Sequence, residues 1–499
     1  MCPKSSSTAF SPLLGALLLG AAFFFLATET TADTPANCTY GEIQGYWLFR
    51  ESPQIGNSST SCRTFPGNGS TTSLYVKLAF PNVATDRLGN VGTWTLIYNQ
   101  GFEVILNYRR YFAFSLFTKV GTVVTSYCSE TSPGWSHDAL GHNWACLQGR
   151  KVTSWPEKGA GEGDLFSETG LGEGKTHLVK PHLFEKRNLK VFLGEASVGV
   201  INQKKAAPSW RAKFYPELQG KSTEELIRMA GGRASRIANR PKPAPSTESI
   251  RERVRQLPDT FDWTDVSGVN YVTPVRKQGD CASCYAFASM GALEARIRIA
   301  TNNSLTPIFS TQQIVDCSEY SQGCEGGFPY LVAGKYAQDF GVVPDRCYPY
   351  VGKKGTCRKV PQTAQCQQRT YTVSYSYIGG YYGACNEDLM KLELGQRGPF
   401  PVNFEMHPDF MNYAGGVYSH GGGQLGSATE GTEEFNPFEV VNHAVLVVGY
   451  GVDAASGKKF WKAKNSWGAQ WGLKGFFLIE RGVDECGIES LAVSVTPIP

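Results

Sequence analysis

The chain has 499 residues, 41% hydrophobic and 18% charged, so it is long enough to bury more than one core and too long for one ordinary domain. A formal net charge of +4 with no long Lys/Arg run gives no electrostatic footprint for nucleic acid or an anionic membrane surface. Fourteen cysteines are too many for a typical cytosolic enzyme and too few for a disulfide-only miniature scaffold, which points to folded domains in an oxidising compartment.

The N-terminus reads as an export signal. Lys4 is its positive end, Leu13 to Ala27 is an unbroken apolar run, and small residues Thr30 and Ala32 precede Asp33. Cleavage after Ala32 is expected, with residues 1–32 removed. The run is shorter than the roughly 20 residues of a bilayer span, and no later stretch approaches that length, so no membrane span is expected in the mature form. Sequons at Asn37, Asn57, Asn68 and Asn302 are candidate glycosylation sites.

From Asp33 to about Cys146 the pattern is β. Leu74, Val76, Leu78 and Phe80 alternate with other residues, as do Phe102, Val104, Leu106 and Tyr108, and then Phe112, Phe114 and Leu116. Short alternating strands between Gly, Asn and Asp predict a compact antiparallel barrel or sandwich whose aromatic residues form its core. From Leu147 to Gln256 the character shifts to Gly, Lys, Glu and Pro, a linker-like region open to proteolytic removal. One helix is expected inside it, because Ser222 and Glu225 form a capping box ahead of Leu226, Ile227 and Met229, and Gly231-Gly232 supplies a stop.

The third region, Leu257 to Pro499, carries the chemistry. Ala286, Met290, Leu293 and Ile297 predict a helix starting near Ser283 with one apolar stripe, which puts Cys284 on its first turn. The positive end of a helix favours an anion, so a thiol there ionises more readily than a free one. A cysteine nucleophile needs a base, and among seven histidines His443 stands out at the start of the apolar β run Ala444 to Val448. Asn465, in the stretch Lys464-Asn465-Ser466-Trp467-Gly468, can accept the imidazole N–H, and Trp467 can shield that bond. Three other readings follow from the same residues. Cys281-Ala282-Ser283-Cys284 is a C-x-x-C that suits a thiol–disulfide oxidoreductase, but that reading leaves His443 and Asn465 unused. A zinc site lacks a second close cysteine pair, so no metal is expected. A secreted binding module has no need of Gln278, Cys284, His443 and Asn465 together.

At Gln278-Gly279-Asp280-Cys281-Ala282-Ser283-Cys284-Tyr285, at Cys324-Glu325-Gly326-Gly327, and around His443 and Asn465, the sequence resembles the papain-like cysteine peptidases, with the motifs in family order. The resemblance implies an α+β fold: a two-lobed catalytic domain, one lobe helical and one a β-barrel, preceded by an additional antiparallel β-barrel. It makes Cys284 the nucleophile, His443 the acid/base, Asn465 its orienter and Gln278 the side-chain donor of the oxyanion hole. A Cys–His⁺ pair of this type brings a thiol from about 8.5 to about 3–4. Two departures stand out. Ala282 replaces the usual Gly beside the expected S1 subsite, and His443 follows Cys284 at a longer distance than the roughly 130–150 residues usual for the family. The polar, Gly-rich stretch Gly421 to Glu434 reads as an exposed insertion that accounts for the excess.

The likeness sharpens to the dipeptidyl peptidase branch of that family at Asp33 to Tyr40, Tyr285, Gly291 to Arg298, Asn436 to Glu439 and Thr496 to Pro499. It implies that 33–146 is an exclusion domain, 147–256 mostly a propeptide, and 257–499 a catalytic domain cut into a heavy chain to about 432 and a light chain from about 433. The implied activity is removal of dipeptides from free N-termini of peptides and proteins, with Asp33 and Gly327 binding substrate. A chloride ion is implied at Phe328, Tyr330 and Tyr377, assembly is implied as a homotetramer, and the setting as a lysosome or equivalent acidic vesicle, or secretion. Spacing leaves the disulfides open; the resemblance pairs Cys38 with Cys128, Cys62 with Cys146, Cys281 with Cys324, Cys317 with Cys357 and Cys347 with Cys366.

Overall fold

Alternating apolar residues between Gly-, Asn- and Asp-bearing turns close the N-terminal region into an eight-stranded antiparallel barrel. The computed structural model describes residues 35–66, 70–121, 123–154, 172–178, 194–203, 209–231, 243–420 and 443–499. The expected signal segment, Asp33, Asn68, the Gly421 to Glu434 insertion and the heavy–light cut lie outside the described residues. The first strands are β1 (Gly45–Glu51), β2 (Thr72–Ala79), β3 (Val83–Asp86), β4 (Val91–Ile97), β5 (Gly101–Leu106), β6 (Arg109–Val120), β7 (Val123–Thr131), β8 (Gly134–Asp138), β9 (Ala145–Val152) and β10 (Lys175–Leu178). Their order in the barrel is β1-β2-β3-β4-β5-β6-β8-β9, with β9 pairing back to β1; β7 extends the β6 hairpin and pairs β10.

Trp47, Phe49, Phe102 and Tyr111 fill the barrel, Trp47 meeting Phe102 at 4.9 Å and Phe49 meeting Tyr111 at 5.8 Å. The expected alternation holds on β2 and β5, whose Val76, Leu78, Phe102, Val104 and Leu106 are buried. Phe80 and Tyr108 fall beyond their strands and are exposed. Phe112, Phe114 and Leu116 are not barrel core. They share a face with Arg110 and point outward, where Phe112 meets Tyr320 of the following domain at 5.4 Å. An apolar stripe on a barrel's outer face is a docking surface, and period-2 patterning does not tell the two faces apart. The barrel also runs past Cys146, because Leu147 to Val152 complete the pairing of β9 with β1.

The second domain is built on a nine-stranded sheet: β11 (Trp210–Ala212), β12 (Phe261–Asp262), β13 (Thr372–Tyr377), β14 (Phe400–Phe404), β15 (Tyr413–Tyr418), β16 (His443–Val452), β17 (Lys459–Lys464), β18 (Phe476–Glu480) and β19 (Leu491–Pro497). The order is β11-β15-β18-β17-β16-β14-β19-β13, with β12 on β16. The helix Cys284–Ala300 packs across β14, β16 and β19. It is wider in its burial than the single stripe expected, since Cys284 to Ile297 are all buried, as befits a helix enclosed by sheet on one side and by further helices on the other.

The linker-like region is partly docked. Trp210 and Tyr215 are buried, Tyr215 donates its hydroxyl to the Tyr413 carbonyl at 2.8 Å, and β11 pairs β15. Among its described residues, Trp210, Tyr215, Leu218, Leu226 and Met229 are buried. The capping box forms as expected: Ser222 Oγ accepts from Glu225 N and the Glu225 carboxylate from Ser222 N, opening the helix Thr223–Met229. Gly231 ends it with φ of +94°, a backbone state that glycine adopts at little cost. Among the described residues, five disulfides join Cys38–Cys128, Cys62–Cys146, Cys281–Cys324, Cys317–Cys357 and Cys347–Cys366, the pairs implied by the resemblance. Among the described residues, Cys284, Cys385 and Cys486 lie outside these disulfides.

Candidate active site

The site is assembled from one helix start and two strand ends. Ser283 is the N-cap of the helix Cys284–Ala300, so Cys284 is its first residue. His443 opens β16 and Asn465 follows β17, which places them on adjacent antiparallel strands. The backbone N–H of Ala444, next to His443, reaches the Cys284 sulfur, as do those of Tyr285 and Cys284 itself. Thiol and imidazole are thereby neighbours.

The tautomer follows from the hydrogen bonds. Asn465 Oδ1 accepts the backbone N–H of Ser466 at 2.8 Å, which identifies that atom as the amide oxygen. His443 Nε2 lies 2.9 Å from the same oxygen and must therefore donate to it. Nδ1 is left as the nitrogen that can take a proton, and it is buried without a hydrogen-bond partner among the described residues. Trp467 covers this pair, its ring 5.1 Å from the imidazole.

Gln278 is oriented in the same way. Its Oε1 accepts from Ser466 Oγ at 2.6 Å, so its Nε2 turns toward the nucleophile segment and donates to Cys281 O at 3.0 Å. Ser466 was not singled out from sequence; its position beside Asn465 was the available signal. The Cys281–Cys324 disulfide and the bond from Ala282 N to Cys324 O at 2.9 Å hold the Gly326-Gly327 loop beside the Cys281–Cys284 segment. Gly327 has no room for a side chain, since a Cβ there would meet the Tyr285 ring at 2.6 Å.

The cleft is covered. The Met229 carbonyl accepts from Trp467 Nε1 at 3.0 Å and from Gln278 Nε2 at 3.4 Å, and the Arg228 carbonyl also lies 3.4 Å from Gln278 Nε2. Lys221 pairs with Asp280 at the entrance. The segment that runs across Gln278 is thus the end of the capping-box helix. Cys284 is consequently buried rather than open to the cleft as its expected role suggests. Burial pushes its thiol up to about 11, against the backbone N–H groups that favour the thiolate, and pushes the His443 imidazole down to about 4. Both shifts favour the neutral thiol and the neutral imidazole in the covered form.

The remaining expected site residues lie together at the barrel. Phe328 stacks on Tyr98 of the β4–β5 turn at 3.8 Å, and Tyr330 stacks on Tyr377 at 4.5 Å. The Tyr377 hydroxyl is buried with no hydrogen-bond partner among the described residues, so it is a donor suited to an anion. The Tyr330 hydroxyl is already committed to the Glu103 carboxylate at 2.9 Å. No motif or periodicity in the sequence marks Tyr98. Tyr98 and Asn99 both have positive φ, a demand that an aromatic residue in a turn meets only under tertiary constraint. Of the sequons, Asn57 is exposed, Asn302 accepts from the Tyr271 hydroxyl at 2.9 Å, and Asn37 is mostly buried with its Oδ1 taking the Asn99 amide at 3.2 Å.

Comparison with known proteins identifies the family. Residues 257–496 match the model of the papain family cysteine proteases, and residues 33–151 match that of the cathepsin C exclusion domain. Cathepsin C of Schistosoma mansoni is 44% identical over 479 residues, 94% of this chain and 96% of the relative. Pro-cathepsin H of Bos taurus is 35% identical over 243 residues, 48% of this chain and 65% of the relative. The solved structure of digestive procathepsin L 3 from Tenebrio molitor larval midgut overlaps with a TM-score of 0.47 at 26% identity, over 63% of this chain and 90% of that chain. With a relative matched along almost its whole length and both domains accounted for, the chain belongs to the cathepsin C family of papain-type cysteine proteases.

Proposed function

We propose that this chain is the precursor of a cysteine-type dipeptidyl peptidase, which removes dipeptides from free N-termini once the segment over the cleft is gone. The Cys284 thiolate attacks the carbonyl carbon of the second peptide bond. The oxyanion is held by Gln278 Nε2, which the Ser466 hydroxyl already aims, and by the Cys284 backbone N–H. His443 gives its Nδ1 proton to the leaving amine while Nε2–H stays on Asn465. Water then attacks the thioester, Nδ1 takes its proton, and the acid is released.

The observation that carries the exopeptidase reading is Tyr98. From the barrel it stacks on Phe328, one residue past Gly327, and its hydroxyl reaches Asn403 on β14 at 2.7 Å. A barrel side chain seated next to the Gly327–Phe328 stretch supports the reading that the barrel closes the cleft at its non-primed end. The start of the described chain is tied to the same turn, with Cys38 N donating to Asn99 O at 2.7 Å. That anchorage supports Asp33, four residues before Asn37, as the carboxylate that meets the substrate's α-ammonium. A charge-assisted bond of this kind contributes about 1.5–3 kcal/mol.

Chloride at Phe328, Tyr330 and Tyr377 belongs to the same reading, with Tyr377 Oη as the hydroxyl donor, as do glycans on the sequons, assembly into tetramers, and a lysosomal or secreted setting. The test uses two matched dipeptide amides, one with a free amino end and one acetylated. The processed enzyme turns over only the first, and Asp33→Asn narrows the difference. Equal cleavage of the blocked substrate by wild type would leave a broad endopeptidase in its place.

A further inference from the structure

Glu103 is an acid placed where its strand reads as solvent-facing. It alternates with Phe102 and Val104 on β5, so its side chain leaves the barrel interior, yet it is 1% exposed. The second domain closes over it. Tyr330 Oη donates to one carboxylate oxygen at 2.9 Å and Tyr375 Oη to the other at 2.7 Å. Two cations stand farther off, Arg110 Nη1 of the barrel and Lys335 Nζ of the second domain, each at 3.7 Å, and Lys335 also pairs with Asp339 at 3.1 Å.

Tyr330 begins the π-helical stretch Tyr330–Tyr336, and Phe328 and Gly327 lead directly into it. A Cβ added at Gly326 would lie 3.6 Å from the Gly231 carbonyl of the covering segment, so the Gly326–Phe328 stretch borders the space that segment occupies. The carboxylate thus grips the anchored end of a short wall whose other end faces substrate. We propose that Glu103 is a positioning residue for the peptidase reaction: through the Tyr330 hydroxyl it fixes the Gly327–Phe328 wall of the non-primed cleft, so the seated barrel sets substrate affinity as well as cleft length.

Fixing a binding wall acts on ground state and transition state alike, so its loss raises KM and leaves kcat nearly unchanged. The processed enzyme is assayed on the free-amino dipeptide amide with Glu103→Gln, Tyr330→Phe and Tyr375→Phe, and with Glu103→Gln/Tyr330→Phe together. The first two raise KM about five- to twentyfold with kcat within about twofold. The double variant is no worse than Glu103→Gln alone, because both act through one contact. Tyr375→Phe, which removes an equal hydrogen bond that does not lead to the wall, keeps the wild-type KM.

Lowered thermal stability with wild-type KM in Glu103→Gln overturns the proposal and leaves a structural ion cluster. So does additivity in the double variant, or a Tyr375→Phe effect equal to that of Tyr330→Phe. If Glu103→Gln fails to fold because Arg110 and Lys335 lose a counter-charge, Tyr330→Phe decides, and a wild-type KM there overturns it. The inference rests on the dipeptidyl reading for its substrate alone. Wild type that ignores the free-amino amide sinks that reading, and the variants are then compared on whichever short peptide it cleaves.

Discussion

Leu226 offers a direct measure of how firmly the cleft is covered. It is fully buried on the capping-box helix whose last carbonyls sit on Gln278 and Trp467, and it becomes exposed when that helix lifts away. Leu226→Ala removes part of a buried side chain from the covered form only. Such truncations cost about 2–5 kcal/mol; taking about 3, the opening constant rises about 150-fold. Cys284 reports the opening, because an epoxide reaches its sulfur only in the uncovered state. Where reclosing outpaces alkylation, the labelling rate follows the opening constant. Intact precursor of wild type and of Leu226→Ala is treated with the epoxide and followed by mass spectrometry, and the variant labels about two orders of magnitude faster. Cys385, buried with its thiol donating to the Glu489 carbonyl at 2.7 Å, stays unlabelled and shows that global unfolding is not responsible. A rate within about threefold of wild type would refute the reasoning, since the segment would then not control access.

Three further outcomes are expected. Gln278→Ala lowers kcat about 10²–10³-fold in steady-state assays of the processed enzyme, the usual effect of losing one oxyanion donor, and an effect under about threefold removes Gln278 from the site. Burial holds the His443 imidazole near 4 against its ordinary 6.5, so between those values the unfolded chain binds the extra proton. The precursor's stability is therefore full above about pH 6.5 and falls as pH drops toward 4, by about 1.4 kcal/mol per unit across that window. Denaturant midpoints of a Cys284→Ser precursor at pH 7 and 4.5 measure the slope, and His443→Gln flattens it. Exchange of chloride for sulfate raises KM reversibly in wild type and has no effect in Tyr377→Phe; identical responses in the two would leave Tyr377 as core.

The chemistry was legible in the sequence because it depends on residue types held by local signals. A helix start fixes Cys284, an apolar strand run fixes His443, and the Asn465-Ser466-Trp467 stretch supplies the orienting oxygen, the hydroxyl that aims Gln278 and the cover. The capping box at Ser222 and Glu225 likewise announced its helix, since every partner lies within one turn. What that helix covers could not be read, because a carbonyl at Met229 has no sequence signature and its seat lies 238 residues away at Trp467.

The barrel shows the same division. Its existence follows from period-2 alternation, but which face of β5 and β6 docks depends on a surface that arrives from elsewhere in the chain. Glu103 looks solvated by pattern and is enclosed by tyrosines 227 and 272 residues downstream. Phe112 looks like core and is instead part of the interface. Local periodicity specifies that one face of a strand is buried; only the packing of two domains decides whether the other face meets water, and here it does not.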